Sequence, residues 1–208
     1  LRRVLQVLTY LRGPNRWVLK SPQHLEQFGP LLGAFPDATI AFTLRDPVAV
    51  LQSAITMLAY GDRMRRIEVD APGLAAYWID RIERLLRAAV SDAHLIPSGQ
   101  RVDVEFGEFM ADDLAMAARI LEVAGIELTD VARSQLETYL AGNPRGKDGR
   151  VVDAERARLQ AYIDSNPRGR DGKVVYDLRA DFHLEPADLY DRYAFYFDAF
   201  PQTSREAS

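Results

Sequence analysis

Apolar positions along this 208-residue chain change period several times, and each change marks a passage between helix and strand. Leu1, Val4, Leu5 and Leu8 recur at helical spacing, so Leu1 to Leu11 reads as an amphipathic helix that Gly13-Pro14-Asn15 stops. A short apolar run, Trp17-Val18-Leu19, predicts a strand, and a helix is expected from about Pro22 to Phe35. Pro36-Asp37 turns the chain into a second strand, Thr39 to Leu44, which a helix from Pro47 to about Tyr60 follows. The next helix, roughly Pro72 to Val90, carries Leu74, Tyr77, Trp78, Ile82, Leu85 and Leu86 on one side. A third strand is predicted at Arg101 to Phe106, with further helices at Asp112 to Ala124, Thr129 to Leu140, Ala154 to Ile163 and Pro186 to Phe200.

Strand, helix, strand, helix and a later strand imply an α/β fold, a parallel sheet with right-handed crossovers flanked by helices. Three strands are few for a sheet that needs both faces covered. The chain also opens in mid-helix on Leu1 rather than methionine. A single domain over residues 1–208 is therefore expected, with one or more strands missing from its amino-terminal side.

The first two strands end alike. Lys20-Ser21-Pro22 follows one and Arg45-Asp46-Pro47 the other, each a cation before a helix-start signal. Carboxyl ends of strands are where open α/β sheets bind ligands, and an anion there can also use the free N–H groups of the next helix. Asp46-Pro47 is explained as a helix start, since aspartate caps and proline suits the first turn. Arg45 is not, because the positive end of the helix dipole disfavours a cation unless an anion joins it. Ser53 lies about two turns on, and helical side chains lean back toward the amino end, so Arg45 and Ser53 could hold a phosphate jointly. The other reading of the pair is a simple cap with a surface serine.

Charge and composition narrow the function classes. Lysine and arginine total 26 against 30 aspartates and glutamates, a net charge of −4 that argues against a general nucleic-acid binder but leaves room for a local basic pocket. The absence of cysteine excludes disulfides, zinc-thiolate sites and a cysteine nucleophile. No apolar run approaches membrane-spanning length and no signal peptide is visible, so the cytoplasm is the default location. The only lysines are Lys20, Lys147 and Lys173, and each falls in a segment singled out on other grounds.

One segment is repeated. ETYLAGNPRGKDGRVV at residues 137–152 recurs as QAYIDSNPRGRDGKVV at 160–175. Glycine lets backbone approach a phosphate and arginine forks onto its oxygens. Arg145, Gly146 and Lys147 in one copy, and Arg168, Gly169 and Arg170 in the other, are thus candidate anion ligands. Alternatively, Gly146 and Gly169 merely turn the chain and the cations are solvated. Two copies do not make a solenoid.

In LKSPQH at 19–24, in RDP followed by serine from Arg45 to Ser53, in Tyr77-Trp78 and in NPRGRDGKVVYDL leading to DLYDRYAFYFDAF, the chain resembles the nucleotide-dependent sulfotransferases. The resemblance covers most of the chain and is to a bacterial branch with a KSPxH segment and a terminal NPRG loop. It implies a P-loop-like α/β fold that binds 3′-phosphoadenosine 5′-phosphosulfate and moves its sulfuryl group to a hydroxyl or amine of a small-molecule acceptor, without a metal. Carried over through it, Arg45 and Ser53 match the positions that bind the 3′-phosphate. The NPRG loop resembles the loop that closes over the same phosphate, with Arg168, Gly169 and Arg170 preferred to Arg145, Gly146 and Lys147. Lys20 would steady charge on the bridging or transferring oxygens and His24 would be the base for the acceptor. These residue types suit the chemistry, because such transfer chiefly needs in-line positioning and cations where charge develops. His94 and His183 read as structural or surface residues.

The chain departs from the family pattern in three places. The amino-terminal glycine-rich loop that cradles the 5′-phosphosulfate is absent, so these residues alone are expected to be inactive. Phe106-Gly107-Glu108 stands where the family often has Tyr-Glu-Asp, and the NPRG segment is doubled. A non-catalytic nucleotide-binding or interaction protein that keeps only the 3′-phosphate half-site is the alternative, and a nucleotide kinase on a related fold a third.

Overall fold

Phe42 and Leu44 are buried while Ala41 and Thr43 face outward, and this alternation makes Ile40–Leu44 a strand with one face in the core (β1). Val102 and Val104 do the same for Arg101–Glu105 (β2). In the computed structural model, which describes residues 1–14, 16–143 and 177–206, the two strands pair in parallel, Ile40 opposite Arg101 and Leu44 opposite Glu105. Their carboxyl ends therefore lie side by side, and helices flank this small sheet as the α/β pattern implies.

The helices before and between the strands are α1 (Arg2–Arg12), α2 (Phe28–Ala34), α3 (Pro47–Arg63) and α4 (Ala71–Asp92). Helix α3 starts where Asp46 accepts the Val48 N–H, and it buries Val48, Leu51, Ile55 and Ala59 at helical spacing. Helix α4 is capped by Asp70, which accepts the Gly73 N–H at 2.9 Å. It turns Ala75, Ile79, Ile82, Leu86 and Ala89 into the same core. After β2 come α5 (Phe106–Ala111), α6 (Asp113–Val123), α7 (Asp130–Gly142), α8 (Pro186–Arg192) and α9 (Ala194–Ala199).

Aromatic rings tie distant segments of the core together. Phe42 of β1 meets Phe28 edge-on at 5.9 Å and Phe200 at 5.2 Å. Tyr193, fully buried, donates its hydroxyl to the Ile79 carbonyl at 3.2 Å. Arg192 reaches from α8 to Asp80 at 2.5 Å and Glu83 at 2.6 Å on α4. Burial pushes the Glu83 carboxyl up, but hydrogen bonds from Arg192 and Arg87 outweigh it and hold the group below its ordinary value.

Several elements differ from the sequence reading. Trp17-Val18-Leu19 is not a strand. Val18 is 93% exposed, and among the described residues no strand pairs with the run. It is tied down through flanking side chains instead: the Trp17 indole donates to Thr9 Oγ1 at 2.9 Å and Arg16 to the Ala124 carbonyl at 2.6 Å. The strand beside Leu44 is β2, so of the two strand ends read alike from the sequence only the one at Leu44 is a strand end, and Lys20 lies off the sheet. The helix expected over Pro22 to Phe35 breaks at Gln27 into a 3-10 turn, Pro22–Glu26, and α2. A continuous helix would place Pro30 in its interior, where it lacks the N–H and clashes with the preceding turn, whereas a start at Phe28 puts it in the first turn. The helix expected over Pro186 to Phe200 is interrupted at Tyr193. Helix α5, unanticipated, begins where Glu105 accepts the Glu108 N–H at 2.7 Å. The helix expected at Ala154 to Ile163 and both repeat loops lie outside the described residues. Among the described residues no helix is long and apolar enough to cross a membrane.

Candidate functional site

Arg45 leaves the carboxyl end of β1, and its guanidinium is held on one face and along one edge. One face lies over the Phe106 ring at 4.0 Å from the centroid. Phe106 opens α5 directly after β2, so the pairing of the two strands is what brings ring and cation together. Along its edge, Nε and Nη2 fork onto the two carboxylate oxygens of Glu206 at 2.6 and 2.8 Å. Both side chains keep about 30% of their surface, 29% for Arg45 and 31% for Glu206.

Asp46, fully buried, accounts for the backbone beneath this fork. Its Oδ1 accepts the Val48 N–H at 2.8 Å and caps α3. Its Oδ2 accepts the Tyr190 hydroxyl at 2.7 Å and the Glu206 N–H at 2.7 Å. Burial pushes the Tyr190 phenol far above its ordinary value, and the Asp46 carboxylate that accepts its proton adds to the shift. The Tyr190 hydroxyl also reaches the Glu206 carbonyl at 3.3 Å, and the Arg205 guanidinium stands 4.6 Å from the Tyr190 ring centroid. The segment through Glu206 is thereby docked on the start of α3.

Ser53 is half-buried on α3, about two turns beyond Arg45. Lys20 is exposed. The half-buried His24 sits in the 3-10 turn Pro22–Glu26, which packs on α4. That turn is anchored by Glu26, which accepts from Arg81 Nη1 at 2.9 Å and also from Nη2. Hydrogen bonds from Arg81 hold the Glu26 carboxyl below its ordinary value. Among the described residues no hydrogen bond or ion pair joins Lys20 or His24 to Arg45 or Ser53. Of the other histidines, His94 contacts the Ser91 carbonyl through Nδ1 at 2.7 Å. His183 is exposed in a turn with φ of 56°. Arg145, Gly146, Lys147, Arg168, Gly169 and Arg170 lie outside the described residues.

Chemically, the arrangement at Arg45 suits an oxyanion, and the Glu206 carboxylate is the one it holds. The guanidinium edge presents two parallel N–H donors, its face is supported by an aromatic ring, and it adjoins the positive end of a helix. The sequence reading asked for an anion here and offered a phosphate shared with Ser53, but no side chain of the protein. Glu206 supplies one, and with Phe106 and Tyr190 it is a site residue that the sequence reading missed. The unexplained cation at a helix start was the signal that something negative had to approach.

Residues 1–130 match the model of the sulfotransferase family. The chain belongs to that family. Its fold is similar to that of sulfotransferase STF9 from Mycobacterium avium, with a TM-score of 0.70 and 22% identity over 99% of this chain and 46% of that one. The chain thus spans under half the length of the sulfotransferase it resembles in structure. No curated protein matches it. Within this sulfotransferase-family chain, Lys20, His24, Arg45, Ser53 and Phe106 fall inside the matched residues, whereas Tyr190, Glu206 and both NPRG loops fall beyond them.

Proposed function

We propose that the protein is a sulfotransferase that uses 3′-phosphoadenosine 5′-phosphosulfate, and that this chain, as a single domain, carries the half of the site that holds the 3′-phosphate. The observation that carries the reading is the Arg45 fork, which already holds a carboxylate between a ring face and a helix start. A phosphate presents a pair of oxygens that accepts the same bidentate fork, with more charge, so the residues fit the group. Arg45 and Ser53 bind it. Arg168, Gly169 and Arg170, or Arg145, Gly146 and Lys147 of the other copy, close over it.

When bound, the donor supplies an activated sulfuryl group. Lys20 places a cation where the transferring oxygens gain charge. His24 takes the proton of the acceptor, a small molecule bearing a hydroxyl or amine. These side chains bring no metal requirement with them, and a cytoplasmic location suits the donor.

Calorimetry on the full-length protein tests the reading. Adenosine 3′,5′-bisphosphate should bind much more tightly than adenosine 5′-monophosphate. Arg45→Ala should remove most of that preference, at a cost of about 1.5–3 kcal/mol for a charge-assisted contact. Equal affinity for the two nucleotides in the unaltered protein rules the assignment out. A protein that binds the bisphosphate selectively but transfers no sulfuryl group to any hydroxyl or amine would instead be the non-catalytic binding module.

A further inference from the structure

We propose that Glu206 is a carboxylate latch: it fills the Arg45 fork in the ligand-free protein, and the phosphomonoester of the incoming nucleotide displaces it. The proposal rests on the reading of Arg45 as a phosphate ligand. Both Nε and Nη2 of Arg45 are engaged by Glu206, and these are the parallel donors that a phosphate would take. Phe106 covers a face of the guanidinium and holds its plane, so an anion that comes to the Nε/Nη2 edge meets Glu206 there. On this proposal the two anions compete for that edge. A dianionic phosphate next to the start of α3 gains more from the guanidinium and the helix dipole than a carboxylate does, so the exchange runs toward ligand.

The exchange needs no unfolding of the segment. The Glu206 N–H bonds to Asp46 Oδ2 and its carbonyl lies 3.3 Å from the Tyr190 hydroxyl. Those backbone contacts hold position while the side chain, 31% exposed, rotates into water. The latch thus keeps Arg45 neutralised and aimed when no nucleotide is present, and it sets a threshold on how strongly an anion must bind.

Calorimetric titration with adenosine 3′,5′-bisphosphate at fixed ionic strength, on unaltered protein, E206Q, E206A, R45A and R45A/E206Q, tests this. E206Q and E206A should bind the bisphosphate about 3- to 10-fold more tightly than the unaltered protein, because the competing charge is gone. R45A should bind weakly, and E206Q should give no gain in the R45A background, since the two side chains act through one contact. If R45A loses affinity while E206Q and E206A bind as the unaltered protein does or more weakly, Glu206 is a brace for Arg45 and the latch is overturned with the phosphate site intact. If R45A binds the bisphosphate as well as the unaltered protein, the site assignment itself fails and takes the latch with it. The glutamine variant keeps the backbone bonds to Asp46 Oδ2 and the Tyr190 hydroxyl, and a melting curve on each preparation shows whether a change in affinity is a change in folding.

Discussion

Alanine in place of His24 in the full-length protein is expected to lower turnover by about 10²- to 10⁴-fold, the scale of general-base assistance, with bisphosphate affinity nearly unchanged. Folding should survive the change. The turn that carries His24 is closed by backbone bonds, His24 N–H to the Ser21 carbonyl at 3.2 Å and Gln27 N–H to the His24 carbonyl at 3.0 Å, and alanine keeps both. It is pinned to α4 by Glu26 and Arg81 rather than by the imidazole. Rate and melting temperature measured on one preparation decide the matter. A lowered melting temperature with turnover per folded molecule intact would make His24 a packing residue and remove it from the chemistry.

The second large effect is on stability. Asp46→Ala should cost about 3 kcal/mol, because it removes a helix cap worth roughly 1 kcal/mol and takes the acceptor from the half-buried Glu206 N–H and the shorter of two acceptors from the Tyr190 hydroxyl, at about 1–3 kcal/mol for lost partners. For a chain of this size that is a fall in melting temperature of roughly 6–12 °C. Asp46→Asn should recover part of the loss, since an amide oxygen also caps a helix. An alanine variant that melts within about 1 °C of the unaltered protein would show that these hydrogen bonds do not hold the segment through Glu206 in place.

The start of α3 was legible in the sequence because its determinants are local. Asp46 caps, Pro47 fits the first turn, and the apolar spacing from Val48 to Ala59 continues the helix. The two paired strands were legible too, since β1 is an apolar run set off by Pro36-Asp37 and Arg45-Asp46-Pro47 and β2 alternates apolar and polar positions. Trp17-Val18-Leu19 misled because three apolar residues in a row specify no conformation. Whether they pair depends on a neighbour that is not local, and here Val18 faces water. The break at Gln27 was in principle readable from Pro30. The partner of Arg45 was not: Glu206 stands 161 positions away, and no periodicity links the two. That Lys20 and Arg45 end different kinds of segment was likewise hidden, because strand-cation-helix spacing does not say which strands are adjacent.

Asp46 draws its partners from Tyr190 and Glu206, which follow it by 144 and 160 positions. During synthesis the chain emerges from its amino end at roughly 5–20 residues per second. Helix α3 and the β1–β2 ladder can assemble many seconds before those partners exist. Until then a carboxylate destined for full burial has only the Val48 N–H to satisfy it, and the Arg45 side chain is neither aimed nor neutralised by Glu206. The Arg45–Glu206 fork therefore acquires its geometry later than β1, β2 and α3, and a nascent chain stalled ahead of Tyr190 would display the folded start of α3 with that fork unassembled.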